Sequence, residues 1–186
     1  MNKIIAFLIL LFSTSAFAET GKGAATTWVT GVKESDGTAI TVSAATYTAK
    51  DVVGQLMKFP SPPCKGKKGK LGSVLITDKD GNAVEYTLHI FSKKPTGTYT
   101  THVTMTVPDI SLDYLTSYVN NSSRDCRLFA DNGYCFLSSI NQGFQSLVSG
   151  TSKPAVYGVL QTAETGTQPT YSGTDSIVVK MEMICE

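Results

Sequence analysis

The stretch LGSVLITDKDGNAVEYTLHIF, residues 71–91, decides the fold class. Its second arm alternates: Val84, Tyr86, Leu88 and Ile90 are apolar, and Glu85, Thr87 and His89 between them are polar. A period of two sends one set to a buried face and the other to water, which is the pattern of a strand and not of a helix. The first arm, residues 71–77 (LGSVLIT), carries side chains suited to a pleated surface. Between the arms, Asp78-Lys79-Asp80-Gly81-Asn82 reads as a turn, because Asp and Asn bond nearby backbone and Gly accepts a positive φ. The expectation is a β-hairpin.

Working outward, residues 26–32 (TTWVTGV) and 39–43 (AITVS) flank Glu34-Ser35-Asp36-Gly37 and read as a hairpin or as two consecutive strands. Residues 51–59 (DVVGQLMKF) predict a further strand, with Gly54 as a bulge or a point of close approach. Pro60-Ser61-Pro62-Pro63 ends it. Residues 99–107 (YTTHVTMTV) set Thr101, Val103, Met105 and Val107 against Thr100, His102, Thr104 and Thr106, and predict another strand. One short helix is expected at residues 108–115 (PDISLDYL), capped by Asp109, with Ile110, Leu112 and Leu115 facing inward. Residues 126–148 read as polar and irregular, anchored by Phe129, Tyr134, Phe136, Phe144 and Leu147. Residues 155–163 (AVYGVLQTA) and 176–185 (SIVVKMEMIC) are the closing strands. Many short strands, Gly/Pro/Asp turns and no βαβ unit predict an all-β protein, a single β-sandwich or jelly-roll-like domain.

Residues 1–18 predict a cleavable secretory signal peptide. Lys3 gives the basic start, Ile4 to Phe12 are unbroken apolar, and Ala16-Phe17-Ala18 is an A-x-A site. That apolar run is well short of the roughly 20 residues a spanning helix needs. The single domain is then residues 19–186, placed in the periplasm, at the cell surface or in the medium. Losing Lys3 brings the 16 basic residues to parity with the 15 acidic ones, so no global field draws the chain to nucleic acid or membrane.

Cys64, Cys126, Cys135 and Cys185 are even in number in an exported chain, so disulfides are expected. Three pairings are possible. The favoured one closes Cys126 to Cys135 around Asp131-Asn132-Gly133 and leaves Cys64 with Cys185. The absence of any C-x-x-C pair argues against a zinc or redox role.

Signals for catalysis are sparse. The two histidines, His89 and His102, sit on the polar phase of expected strands and read as exposed strand residues. No G-x-S-x-G elbow, Walker loop or H-E-x-x-H occurs. Asp78, Asp80 and Asn82 begin like a calcium loop, but Gly81 comes too early and a turn explains them without a metal. No catalytic residue, cofactor or metal site is therefore expected. Asn120-Asn121-Ser122-Ser123 contains glycosylation sequons, meaningful only in a eukaryotic secretory route. Residues 64–70 (CKGKKGK) interleave Lys65, Lys67, Lys68 and Lys70 with glycine. They form a solvated basic loop or a contact for a polyanion such as lipopolysaccharide, teichoic acid or nucleic acid. Without interleaved aromatics, specific nucleic-acid recognition is not expected.

Residues 47–59 (YTAKDVVGQLMKF), 71–95, 107–115 (VPDISLDYL) and 155–183 occur in the order found in a family of small β-sandwich structural proteins of tailed bacteriophages, which the chain resembles. The resemblance implies a non-enzymatic virion component that decorates or cements a particle. Phage particles assemble in the cytoplasm, so the export signal and the cysteines turn this into an exported relative, acting on a cell surface, in the periplasm or in an extracellular filament. Its partners would be further copies of itself, as a homo-oligomer or filament, or a particle or cell surface. The runner-up is a pilin-like or adhesin subunit that assembles by strand addition through residues 26–32. A secreted hydrolase or small-ligand binder has the least support.

Overall fold

The computed structural model describes residues 25–60, 69–108, 115–120, 126–128, 133–138, 156–174 and 177–185. They contain the strands β1 (Ala25–Thr30), β2 (Val32–Lys33), β3 (Val52–Phe59), β4 (Gly69–Asp78), β5 (Tyr86–Phe91), β6 (Leu115–Asn120), β7 (Cys126–Leu128), β8 (Gly133–Ser138), β9 (Val156–Thr162) and β10 (Ile177–Cys185). Two five-stranded sheets result, one in the order β1-β10-β4-β8-β7 and the other β2-β3-β9-β5-β6. Every neighbouring pair is antiparallel. The protein is an all-β sandwich.

The expected hairpin at residues 71–91 is corrected. β4 pairs with β10 and β8, and β5 pairs with β9 and β6, so the two arms do not pair with each other. The turn at 78–82 instead carries the chain from one sheet to the other. Alternation could not separate the two cases, because an arm buries one face whether its neighbour lies beside it or opposite it. Val74 and Ile76 on β4 share one core with Tyr86, Leu88 and Ile90 on β5.

Both sheets feed that core. β10 contributes Ile177, Val179, Met181 and Met183, and β3 and β9 contribute Val53, Met57, Phe59, Val156 and Leu160. Gly158 faces inward among them: a Cβ there would lie 2.9 Å from Phe59 Cε2, so its missing side chain is the space the Phe59 ring fills. At one edge, β1 belongs to the first sheet and β2 to the second, and the chain passes between them through Gly31. Ala39 meets Val32 in an isolated bridge only, so residues 39–43 are not a full strand, yet Ile40 and Val42 are buried in the core. Gly54 is both things expected of it. Its φ is +83°, the β3–β9 register shifts between Val53 and Met57, and a Cβ would stand 2.3 Å from Ile40 Cγ2.

A second, smaller cluster lies on the outer face of the β2-β3-β9-β5-β6 sheet. Val52, Phe91 and Val159 from the sheet meet Tyr99, with Leu56, Met105, Val107 and Tyr157 packed around them. Residues 92–108 therefore cover this face instead of forming the expected strand at 99–107. The chain turns at His102, where φ is +60°, and alternation breaks at Val103, which is 50 % exposed, while Met105 and Val107 pack down. A Phe such as Phe91, fully buried here, is worth about 1.5–3 kcal/mol over an exposed one.

Residues 126–148 also need correction. β7 and β8 lie within them, and β8 is the direct neighbour of β4. Cys126 and Cys135 stand opposite each other in the β7–β8 register and are joined by a disulfide, as expected. Closing this short loop restricts the unfolded chain by about 2–4 kcal/mol in the entropy account. The expected helix at 108–115 falls on residues 109–114, which lie outside the described residues; Leu115 begins β6.

Candidate functional site

The polar chemistry of the described residues gathers at the end of the sandwich where the 78–82 turn crosses between sheets. Asp78 ends β4 with no exposed surface. Its carboxylate accepts the Asp80 N–H at 2.9 Å, the Asn82 amide at 3.1 Å and the Tyr86 hydroxyl at 3.1 Å. Asx-type bonding to the residue two ahead is what makes Asp a turn former. The turn then reaches across to residues 170–172. Asp80 accepts the Ser172 N–H at 3.2 Å and also bonds the Ser172 hydroxyl.

A line of aromatic groups runs inward from Asp78. Tyr86 and Tyr171 share a hydroxyl–hydroxyl bond of 2.7 Å. Tyr171 meets the Tyr47 ring edge-on at 5.2 Å between centroids, and Tyr47 meets the His102 ring at 5.0 Å. The Tyr47 hydroxyl accepts the Ser43 N–H at 2.9 Å and bonds Thr101 Oγ1 at 2.5 Å. Thr101 Oγ1 also takes the Gly54 N–H at 3.3 Å, so the covering segment is tied to the bulge.

At the outer end of the line, His102 Nδ1 lies 3.3 Å from Asp51 Oδ2. Asp51 is buried. Its carboxylate accepts the Thr48 N–H at 2.8 Å, and its own N–H bonds Thr162 Oγ1 at 3.0 Å.

Burial sets the proton affinities. It pushes the Asp78 carboxyl up against the opposing hydrogen bonds from Asn82, the Asp80 N–H and Tyr86. It also pushes the Tyr86 and Tyr171 phenols well above their ordinary range, and the nearby Asp78 charge adds to both. These phenols stay protonated at any physiological pH and act as hydrogen-bond groups, not as bases or nucleophiles.

His89 is not part of this line. It lies on β5 in the covered outer face, partly buried, with Nε2 3.0 Å from Gln161 Oε1 on β9. Gln161 donates its own amide to the Lys50 carbonyl at 3.1 Å, which leaves Oε1 as the acceptor and puts the proton on His89 Nε2. Burial pushes this imidazole below the usual 6.5. The expectation of two exposed strand histidines is thus corrected at His89, a satisfied, partly buried group; His102 is exposed as expected but sits in a turn and not in a strand.

The lysine stretch lies largely outside the described residues. Lys65, Lys67 and Lys68 fall there, as does Cys64, and only the backbone of Lys70 is described, at the start of β4. Cys185 closes β10 with its backbone opposite Gly69; its pairing with Cys64 lies outside the described residues. Among the described residues, no helix is long and apolar enough to cross a membrane.

Compared with family models and with curated proteins, the chain matches none.

Sequence reasoning missed Asp51, Tyr47 and Tyr171, and it read Asp78 and Tyr86 only as turn and strand residues. The one local signal was Asp78 as a turn former. Nothing in the spacing announces that Tyr171, far along the chain, completes its surroundings.

Proposed function

We propose that the protein is an exported, non-enzymatic structural module that works through its surfaces, by assembling with itself or by coating a particle or cell. The observation that carries this reading is how the polar groups are spent. Asp78, Asn82, Tyr86 and Tyr171 bolt one sheet's turn to the other sheet and to residues 170–172. Within the second sheet, Asp51 and Thr162 tie the start of β3 to the end of β9. A sandwich braced in this way keeps its faces and edges fixed, which suits a part that must present the same surface repeatedly. The Cys126–Cys135 disulfide supports an oxidising compartment and hence the leader at residues 1–18. The likeness to phage decoration proteins belongs to the same class of role, moved outside the cytoplasm. The lysines at 65, 67, 68 and 70 would add contact with an anionic surface.

The test is expression of the whole chain with its own leader. The expected result is an exported species beginning near Glu19 that forms oligomers, or that is retained on whole cells or phage particles. Full-length chain held in the cytoplasm would overturn the export part. Turnover of a substrate from a hydrolase panel, lost in His102→Gln with the fold intact, would overturn the non-enzymatic part.

A further inference from the structure

β1 is the long, unbroken edge of the sandwich among the described residues. The other edges are blunted by devices that sheets use against edge-to-edge pairing. β2 has two residues and β7 has three. β6 matches β1 in length, but its register slips between its partners Ile90 and Phe91, which is a bulge. β1 runs beside β10 without a slip, from Ala25 opposite Cys185 to Thr30 opposite Lys180. Its sequence, ATTWVT, holds no charge and no proline.

One hydrogen bond fixes which backbone groups of β1 face outward. The Gly31 N–H donates to the Val179 carbonyl at 2.9 Å, and this pair continues the β1–β10 register by one step. Bonded residues alternate along an antiparallel pair. Val29, Thr27 and Ala25 therefore turn their backbone groups toward β10, and Thr26, Trp28 and Thr30 turn theirs to the open edge. Val29 packs against the core, while Trp28 stands 42 % exposed, a large apolar surface at that edge.

We infer that two copies of this chain pair edge to edge through β1, antiparallel, about a two-fold axis at Trp28. In this register Trp28 exchanges both backbone bonds with Trp28 of the partner subunit. Thr26 pairs with the partner's Thr30, and Thr30 with the partner's Thr26. Every outward group of the strand finds a partner, and one patch serves both subunits, as two-fold symmetry demands. The exposed indoles lie across from each other as a cross-strand aromatic pair, and no like charges meet. The sheet becomes continuous across the dimer. The occupant is a second copy and not an unrelated strand, because the edge is complementary to itself in backbone, charge and side-chain size. This rests on the reading of the protein as an assembling module, and it names the surface.

The test is the mass of the mature protein by analytical ultracentrifugation, for the wild type and three variants of outward positions. T26K/T30K sets lysine opposite lysine at both ends of the paired strands. T26K/T30E sets lysine opposite glutamate in the same places. Trp28→Pro deletes the central outward N–H and leaves the β10 side of the ladder its donors. The wild type is expected to be a dimer. T26K/T30K should weaken it by about tenfold or more, and T26K/T30E should restore it in a salt-sensitive way. Trp28→Pro should be monomeric. Unchanged circular dichroism of the two lysine variants separates lost pairing from lost fold. A wild type that stays monomeric at high micromolar concentration overturns the inference, and so does a dimer indifferent to T26K/T30K. In the second case the protein still assembles and only the interface is wrong. A wild type that neither self-associates nor binds cells or particles sinks the module reading as well.

Discussion

Asn82 and Thr170 hold each other through both halves of one amide. Asn82 Nδ2 donates to the Thr170 carbonyl at 3.1 Å, and the Thr170 N–H donates to Asn82 Oδ1 at 3.0 Å. The side chain imitates a strand residue, making the paired bonds of an antiparallel bridge where no strand is present. The same Nδ2 also reaches Asp78 Oδ2. One amide thus connects the buried carboxylate to a loop on the far side of the sequence.

Asn82→Ala should cost about 1–2 kcal/mol, the worth of the lost bonds. Asn82→Asp should cost more, because it removes the donors and sets a second carboxylate against Asp78. The gap between the two variants should narrow on acidification, as the new carboxylate is neutralised. Urea unfolding midpoints at neutral and acid pH measure this; an Asp variant as stable as the Ala variant at neutral pH would refute the pairing.

Gly54→Ala should cost about 2–4 kcal/mol, combining a left-handed backbone with overpacking. The left-handed φ of +83° and the Ile40 methyl 2.3 Å from the new Cβ both act there. Gly37 provides the control: its φ is +72°, but nothing lies within 4 Å of a Cβ. Gly37→Ala should therefore cost only the backbone share, about 1–2 kcal/mol. Thermal unfolding of the pair separates strain from crowding.

The His89 imidazole resists its proton in the folded chain, because burial holds it below 6.5. Between 6.5 and the lower folded value, the unfolded chain binds a proton that the folded chain does not. The histidine's contribution to stability therefore falls as pH drops below 6.5 and is level above it. His89→Gln should flatten that limb. Asp78 acts in the opposite sense: its folded value is raised above 3.8, so its ionisation costs stability as pH rises from 3.8. Comparing wild type with His89→Gln at pH about 7.5 and about 5 isolates the histidine; equal pH dependence in the two proteins would refute its burial.

Alternation locates β5, since a period of two sustained over several residues matches a pleated strand and no helix, and the closing strands expected at 155–163 and 176–185 match β9 and β10 almost to their ends. It does not say which strand lies beside which, and so it predicts a pairing of the 71–91 arms, which lie in different sheets. β6, β7 and β8 escape it because LTSYVN and GYCFLS show no period of two and CRL is too short to show one. Residues 99–107 have that phase and are not a strand, because the turn at His102 interrupts them: residues 102–105 bond the backbone of residues 50–52 through a single isolated bridge, and the rest packs across the sheet. The line from Asp78 to Asp51 is invisible in the sequence for a different reason. Each tyrosine is an ordinary core residue there, and only the sheet-to-sheet crossing at 78–82 brings it within reach of the others.

β10 has a consequence for the order in which the molecule can be made. It is the last described strand in the chain, yet it lies between β1, the first, and β4. β1 has no sheet neighbour, and β4 has only β8, until β10 has been synthesised. Contacts of such long sequence separation form late and slowly. For a chain threaded through a membrane before it folds, that delay is useful. A partial chain without β10 has no complete first sheet in which to become trapped, so a chain exported as proposed would close that sheet only after β10 had crossed.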